Sequence, residues 1–266
     1  MLENPRSPRV RAVAKLTKRS ARTETGLFLL EGPQSVREAL NYVPGAIVEL
    51  FATPTAWDKH SDVRALAAET GLEVEYVTES VLSAMADTVT PQGIIAVARQ
   101  TPTSVREIFA ASPRLIAICE EVRDPGNLGT IIRAADAAGA DAVVLTGRTV
   151  DPYNPKVVRS TTGSLFHLPI SVGGHLTDVV TRAHAAGMKV LAADVKGDDL
   201  LEARAEGVLA QPTAWLFGNE AHGLDDDMLA LADHSLRLPI FGRAESLNLA
   251  TAASVCLYES AFAQRA

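Results

Sequence analysis

The sequence predicts an α/β protein whose C-terminal part is built on a parallel sheet covered on both faces. Three observations carry this expectation. Short apolar runs alternate with stretches of helical periodicity along most of the chain. Later runs such as 141–147 (DAVVLTG) and the first part of 188–195 (MKVLAADV) are continuously apolar, as strands buried on both faces must be. Finally, 114–139 (RLIAICEEVRDPGNLGTIIRAADAAG) reads as an apolar strand, a polar Gly/Pro/Asn turn and an amphipathic helix. The rest of the chain is organised around that last stretch.

Taken in order, Ser7-Pro8 opens a helix expected to run to about Ser20, with serine as cap and proline in its first turn. Residues 26–31 read as a strand, Pro33 opens a helix to Tyr42, and 46–52 is a second strand. A helix over 59–70 turns Val63, Leu66 and Ala67 inward. A strand (72–77), a helix (79–86) and a strand (93–99) complete a first alternating unit. Residues 99–113, with their Thr, Ser and Pro around one short helical patch, form the boundary, which gives domains 1–102 and 103–266. The second unit alternates too. Strands are expected at 114–121, 141–147, 165–171, 188–195, 213–220 and 235–240. Helices are expected at 127–138, 175–186 and about 247–262, with a turn-rich loop over 149–164.

Composition bounds the function. The 266 residues suit one large domain or two ordinary ones, and an apolar fraction of 47% is ample for a core. No apolar run approaches the roughly 18 residues of a membrane helix, and the N-terminus lacks the apolar segment of a secretory signal. A cytoplasmic protein is expected. Cys119 and Cys256 lie inside apolar runs and read as reduced core thiols, and no Cys/His spacing suits zinc. The net charge of −7 argues against a simple polyanion binder, but its distribution is uneven. Residues 1–25 hold seven basic side chains against two acidic ones, +5, which leaves −12 on the rest. That arm admits two readings: a phosphate-contacting surface, or a solvated amphipathic helix with Val10, Val13 and Leu16 as its stripe.

Three stretches carry the chemistry. On the helix 127–138, Leu128, Ile131, Ile132, Ala135 and Ala138 form one stripe, and Arg133 is turned about 160° from its centre at 100° per residue. Arg133 and the turn Asp124–Asn127 are therefore free of the core. In 214–224 (AWLFGNEAHGL) a buried strand runs straight into Gly218, Glu220 and Gly223, and ligands bind at such strand ends in open α/β sheets. In 238–259, Pro239 and Gly242 break a strand, Ser246 is a plausible cap, Asn248 sits in the first turn, and 250–254 are all small. There is no Walker loop and no GxGxxG, which removes a dinucleotide oxidoreductase, and no histidine has metal spacing. His222, beside Glu220, is a minor candidate.

Together the motifs 124–140 (DPGNLGTIIRAADAAGA), 216–224 (LFGNEAHGL) and 238–254 (LPIFGRAESLNLATAAS) resemble the SpoU (TrmH-like) family of RNA 2′-O-ribose methyltransferases in the SPOUT superfamily. The resemblance covers about 114–262. Residues 1–100 resemble, more weakly, the small ribosomal-protein-like (L30e-like) substrate-binding domain that precedes it in full-length 23S rRNA enzymes. The resemblance implies a C-terminal SPOUT sheet with a deep trefoil knot, S-adenosylmethionine as cofactor, and a homodimer in which the partner completes each site. By motif match Gly218, Leu238 and Leu247, with Leu216 and Ile240, would touch the cofactor. Arg133 matches the arginine proposed in the family as general base. Because a guanidinium pKa is normally above about 12, orienting the 2′-hydroxyl or stabilising the alkoxide demands less of it. Asn127, Glu220, Ser246 and Asn248 match the polar positions that would orient Arg133 and the ribose phosphate. The front domain and the basic arm, through Arg9, Arg11, Lys15, Lys18, Arg19 and Arg22, would select the RNA. A tRNA enzyme and a non-catalytic ribosome-associated RNA-binding protein are the alternatives.

Overall fold

A computed structural model describes residues 1–266. The chain divides into two compact units. The first holds residues 1–101 with 151–167, and the second holds 102–150 with 168–266.

In the first unit, helices α1 (Pro8–Lys15) and α2 (Arg19–Thr25) precede β1 (Leu27–Glu31) and α3 (Pro33–Tyr42). Then come β2 (Ile47–Ala52), α4 (Pro54–Lys59), α5 (Ser61–Glu69), β3 (Val74–Tyr76), α6 (Glu79–Met85) and β4 (Ile94–Arg99). The sheet order is β1-β4-β2-β3, antiparallel except for β2 on β3. Val10, Val13 and Leu16 of α1 pack with Val81, Leu82 and Met85 of α6 over Leu29, Phe51 and Ile95. The amphipathic reading of α1 is thus satisfied by burial. One long N-terminal helix is not formed: Leu16 caps α1, and α2 starts afresh at Arg19. The break has a cause, since the Arg22 guanidinium donates to the Leu16 and Thr17 carbonyls, both at 2.9 Å, instead of pointing outward. Thr53 caps a helix over 54–59 that the sequence leaves unassigned.

The second unit opens with α7 (Val105–Ala110), then β5 (Leu115–Glu120), α8 (Pro125–Ala138) and β6 (Ala142–Thr146). After an excursion containing α9 (Pro155–Thr161) come β7 (Ile170–Val172), α10 (Leu176–Ala185), β8 (Lys189–Asp199) and α11 (Leu200–Ala205). The unit ends with β9 (Thr213–Phe217), α12 (Asp226–Leu229), β10 (His234–Arg237) and α13 (Leu249–Arg265). All six strands are parallel, in the order β10-β8-β9-β5-β6-β7, as the continuous apolar runs require. Leu176, Val179, Val180 and Ala183 of α10 pack on one face of the sheet against Ile116, Ile118, Ala214 and Leu216. α8 and α13 pack together and on the other face, where the buried Trp215 indole donates to Ser260 at 2.9 Å. Both cysteines are free and buried. Burial, then Glu220, pushes the Cys119 thiol up to about 12, and Cys256 is raised by burial as well.

Residues 151–167 depart from the sequence reading, which places them in the second domain as loop and strand. They form α9 and a 3₁₀ turn (Ser164–Phe166), and they pack in the first unit. Arg22 meets Asp151 at 2.7 Å, Arg159 meets Asp87 at 3.0 Å, and Phe28 meets the Tyr153 ring at 4.7 Å between centroids. The apolar residues Leu165 and Phe166, read as strand, are used for this packing, and β7 begins only at Ile170.

Candidate functional site

The sheet order places the site. From β5 the chain moves one way, to β6 and β7, then returns to the other side through β8, β9 and β10. Strand order therefore reverses between β5 and β9, and a crevice opens beyond the carboxyl ends of such a pair. Two loops meet there: 121–124 after β5, and 218–224 after β9.

Glu220 joins them. Its carboxylate accepts from the backbone N–H of Arg123 at 3.0 Å and Asp124 at 2.9 Å, and from the Asn127 amide at 3.2 Å. Asn127 Oδ1 in turn accepts from Asn248 Nδ2 at 3.0 Å. The orientation of this relay is fixed from both ends. Asn248 Oδ1 must accept from Ala250 and Thr251 N–H at the start of α13, so its Nδ2 faces Asn127. Glu220 can only accept once ionised, so Asn127 turns its NH₂ toward it. Partial burial pushes the Glu220 pKa up, but the backbone donors and the Asn127 amide outweigh it and hold the group below the usual carboxylate range. One side chain from each of the three motifs is thereby tied into a single chain of hydrogen bonds.

Other expected residues stand apart from this relay. Arg133 is exposed, and no side-chain hydrogen bond or ion pair holds it. Ser246 is also exposed and does not cap the helix: Asn248 does, because two N–H groups reach its side chain and α13 starts at Leu249. Gly218 is buried because its own loop closes on it. A Cβ there would lie 2.6 Å from the Gly223 carbonyl carbon and oxygen, and 2.8 Å from Leu224 Cγ. Asn219 and Gly223 exchange N–H···O bonds at 3.1 and 2.9 Å, with Gly223 at φ +66°. Leu216 points into the core under α10, so only its backbone can reach a ligand. Leu238 is half-buried, while Ile240 and Leu247 are exposed, as is Phe241, at 90%. His222 is exposed and enters no hydrogen bond.

A cofactor site would be lined by the loops after β8, β9 and β10, which are adjacent strands. The β8–β10 register slips between Ser235 and Leu236, which leaves 193–197 of β8 unpaired with β10, Gly197 packed against the Ser235 backbone. The residues fit an adenosyl ligand: a glycine-tight loop with backbone groups at its rim, and uncovered apolar side chains at 240, 241 and 247.

Two residues escaped the sequence reading. Asn219 Nδ2 donates to the Glu121 carbonyl at 2.9 Å and so pins the end of β5 to the β9 loop. Glu120 ends β5 buried, with Oε2 unpartnered. Burial raises its pKa against a Thr146 hydrogen bond, and Glu121 and Asp225 raise it further. No periodicity signals either residue: Asn219 acts through its side-chain amide on a distant loop carbonyl, and Glu120 buries its carboxyl at the end of an apolar strand. A carboxyl whose folded pKa is raised contributes stability below its unfolded pKa, about 4.3, and loses it as pH rises through the folded value. Glu120→Gln is therefore expected to melt higher than the wild type at pH 8, with the difference closing near pH 4. Equal melting temperatures at pH 8 would contradict it.

In the first unit, Arg11, Lys15, Lys18 and Arg19 are exposed with no partner. Arg9 pairs with Glu49 at 2.6 Å and Glu75 at 3.2 Å over the Phe51 ring. Arg22, expected to face RNA, is 1% exposed and committed to Asp151 and two carbonyls, so it is structural. No helix is long and apolar enough to cross a membrane, and no cluster of three or more His, Cys, Asp or Glu could hold a metal.

The parallel sheet with its reversal-point crevice defines the chain as an α/β protein of ligand-binding architecture. Comparison then gives the family. The model of the SpoU rRNA Methylase family matches residues 114–258, and that of the MRM3-like substrate binding domain matches 7–96. The chain is 37% identical over 257 residues to the 23S rRNA (guanosine(2553)-2′-O)-methyltransferase RlmP of Bacillus subtilis, covering 97% of each chain. It superposes on the AdoMet-bound SpoU methyltransferase AviRb of Streptomyces viridochromogenes with a TM-score of 0.84 at 30% identity, over 97% of this chain and 99% of that one. It likewise superposes on an AdoMet-bound rRNA methyltransferase of Sinorhizobium meliloti, TM-score 0.82 at 33% identity, over 97% and 96%. The chain belongs to the SpoU rRNA methylase family.

Proposed function

We propose that this chain transfers a methyl group from S-adenosylmethionine to a ribose 2′-hydroxyl of 23S rRNA. The observation that carries the reading is the Glu220–Asn127–Asn248 relay, which unites all three motifs at the crevice. The names of the relatives, 23S rRNA 2′-O-methyltransferases and AdoMet-bound structures, favour 23S rRNA over tRNA.

S-adenosylmethionine supplies an electrophilic methyl on a sulfonium. The chain's residues do the rest. Backbone groups of the Gly218 loop and of 238–247, with Leu238, Leu247 and Ile240, would hold the adenosyl group. The relay fixes the loops after β5 and β9, and a fixed crevice that holds the 2′-hydroxyl against a bound methyl donor would supply much of the acceleration. Arg133 orients the 2′-hydroxyl and stabilises the developing alkoxide; the hydroxyl proton passes to solvent water, and the sulfonium that gives up its methyl leaves as the neutral thioether. Arg11, Lys15, Lys18 and Arg19 contact RNA phosphates, with a marked salt dependence.

The same reading includes the trefoil knot, a cytoplasmic location and a homodimer. The dimer is supported by the uncovered stripe Val255, Tyr258 and Phe262 on α13, and sedimentation of the purified chain reads it directly. Calorimetry with S-adenosylhomocysteine tests the function, together with mass spectrometry of nucleosides from 23S rRNA treated with labelled cofactor. Binding and a labelled 2′-O-methyl nucleoside are expected. No binding, or label on a base instead of a ribose, would sink the reading.

A further inference from the structure

The crevice rim carries a second cationic group that the relay does not use. Directly after β5 stands Glu121 at φ +53°, a left-handed conformation unusual for a glutamate. The turn is held on both sides: Glu121 N–H donates to the Thr146 carbonyl at 3.3 Å, and its own carbonyl accepts from Asn219. That conformation turns the Glu121 side chain to Arg123, whose guanidinium meets it at 2.7 Å. The Arg123 backbone N–H meanwhile donates to Glu220, so Arg123 is fixed to the relay at its main chain while its side chain stays half exposed.

Arg148 arrives from the next strand. It follows Gly147, at φ +59°, where a Cβ would collide with the Glu120 carboxylate and lie 2.9 Å from Glu121 Cγ. Only glycine lets the loop after β6 close down on Glu120 and Glu121 in this way. The Arg148 side chain is exposed, and no hydrogen bond or ion pair holds its guanidinium. Arg123 first, then Arg148, hold the Glu121 carboxylate below its usual pKa range. Two arginines thus flank one carboxylate at the carboxyl edge of adjacent strands: Arg123 pairs with it, and the turn at Gly147 brings the Arg148 main chain beside it, on a chain whose body is strongly acidic.

We infer that Arg123 and Arg148 form a clamp for one backbone phosphate of the substrate RNA, next to the methylated nucleotide, with Glu121 holding Arg123 in place until the phosphate displaces it. This rests on the methyltransferase reading given above and names residues that reading leaves unassigned. An exposed Arg–Glu pair is weak and readily exchanged. A phosphate between two planar guanidinium groups gains bidentate, charge-assisted bonds that the single carboxylate does not offer Arg148. Substrate arrival therefore converts one ion pair into two.

The test uses the full chain and in vitro transcribed 23S rRNA. Arg123→Ala and Arg148→Ala are each expected to raise the RNA Kd about tenfold and to flatten the slope of log Kd against log salt by about 0.7, one phosphate's worth for single-stranded RNA. Their Kd for S-adenosylhomocysteine is expected to match the wild type. Glu121→Gln is expected to tighten RNA binding, the opposite of what loss of a purely structural ion pair would do. Wild-type RNA affinity and slope in both arginine variants would overturn the clamp alone, as would weaker binding in Glu121→Gln. A wild type that neither binds nor methylates the transcript would overturn the methyltransferase reading, and the clamp with it.

Discussion

Replacing Arg133 with alanine is expected to slow methyl transfer about a thousandfold, roughly 4 kcal/mol at the transition state. The affinity for S-adenosylhomocysteine should stay within about twofold. The separation of the two effects follows from where Arg133 stands. It lies on the far side of α8 from the buried stripe Leu128, Ile131, Ile132, Ala135 and Ala138, exposed and without a side-chain partner. Nothing in the fold is lost with it, so stability should change by no more than about 0.5 kcal/mol. In the proposed reaction its charge matters only when the 2′-oxygen loses its proton, a step absent from cofactor binding. Single-turnover methylation checks this, with calorimetry alongside. Undiminished turnover in Arg133→Ala would remove the residue from the reaction. Loss of cofactor binding would move it into the cofactor pocket.

The largest stability effect is expected at the opposite kind of arginine. Arg22→Leu should cost about 3–5 kcal/mol in urea unfolding, because it removes one partner of a buried ion pair. Asp151 would be left nearly buried, and the Leu16 and Thr17 carbonyls would lose their donor just where α1 ends. Adding Asp151→Asn should recover part of the loss, since the two residues interact directly. A single variant as stable as the wild type would show the pair to be dispensable.

These two arginines mark what could be read from the sequence and what could not. Arg133 is legible because a helix of known period places it: five apolar positions fix the buried face, and the arginine falls opposite. The parallel sheet is legible for the same kind of reason, through the unbroken apolar runs of β6 and β8. Arg22 is not legible. Local charge counts it with its neighbours in a basic arm, and only a partner 129 residues away reverses that. The helix over Pro155–Thr161 was hidden in a stretch rich in turn residues, where Asn154 and Pro155 are in fact its cap and first residue. Asn219 was likewise hidden, because its side-chain amide serves a backbone carbonyl 98 residues away and leaves no pattern in composition. At the crevice the motif positions Asn127, Glu220 and Asn248 meet, whereas Ser246 shares no bond with them.

The excursion of 151–167 also sets an order of events during synthesis. A chain growing from its N-terminus produces Arg22 early, but the carboxylate that neutralises it is made 129 residues later. At roughly 5–20 residues per second, that leaves the guanidinium waiting for several to some tens of seconds. By then β5 and β6 of the following unit have already been made, while β7 has not. The first unit therefore cannot finish before the second begins, and the nascent chain must complete the two in alternation.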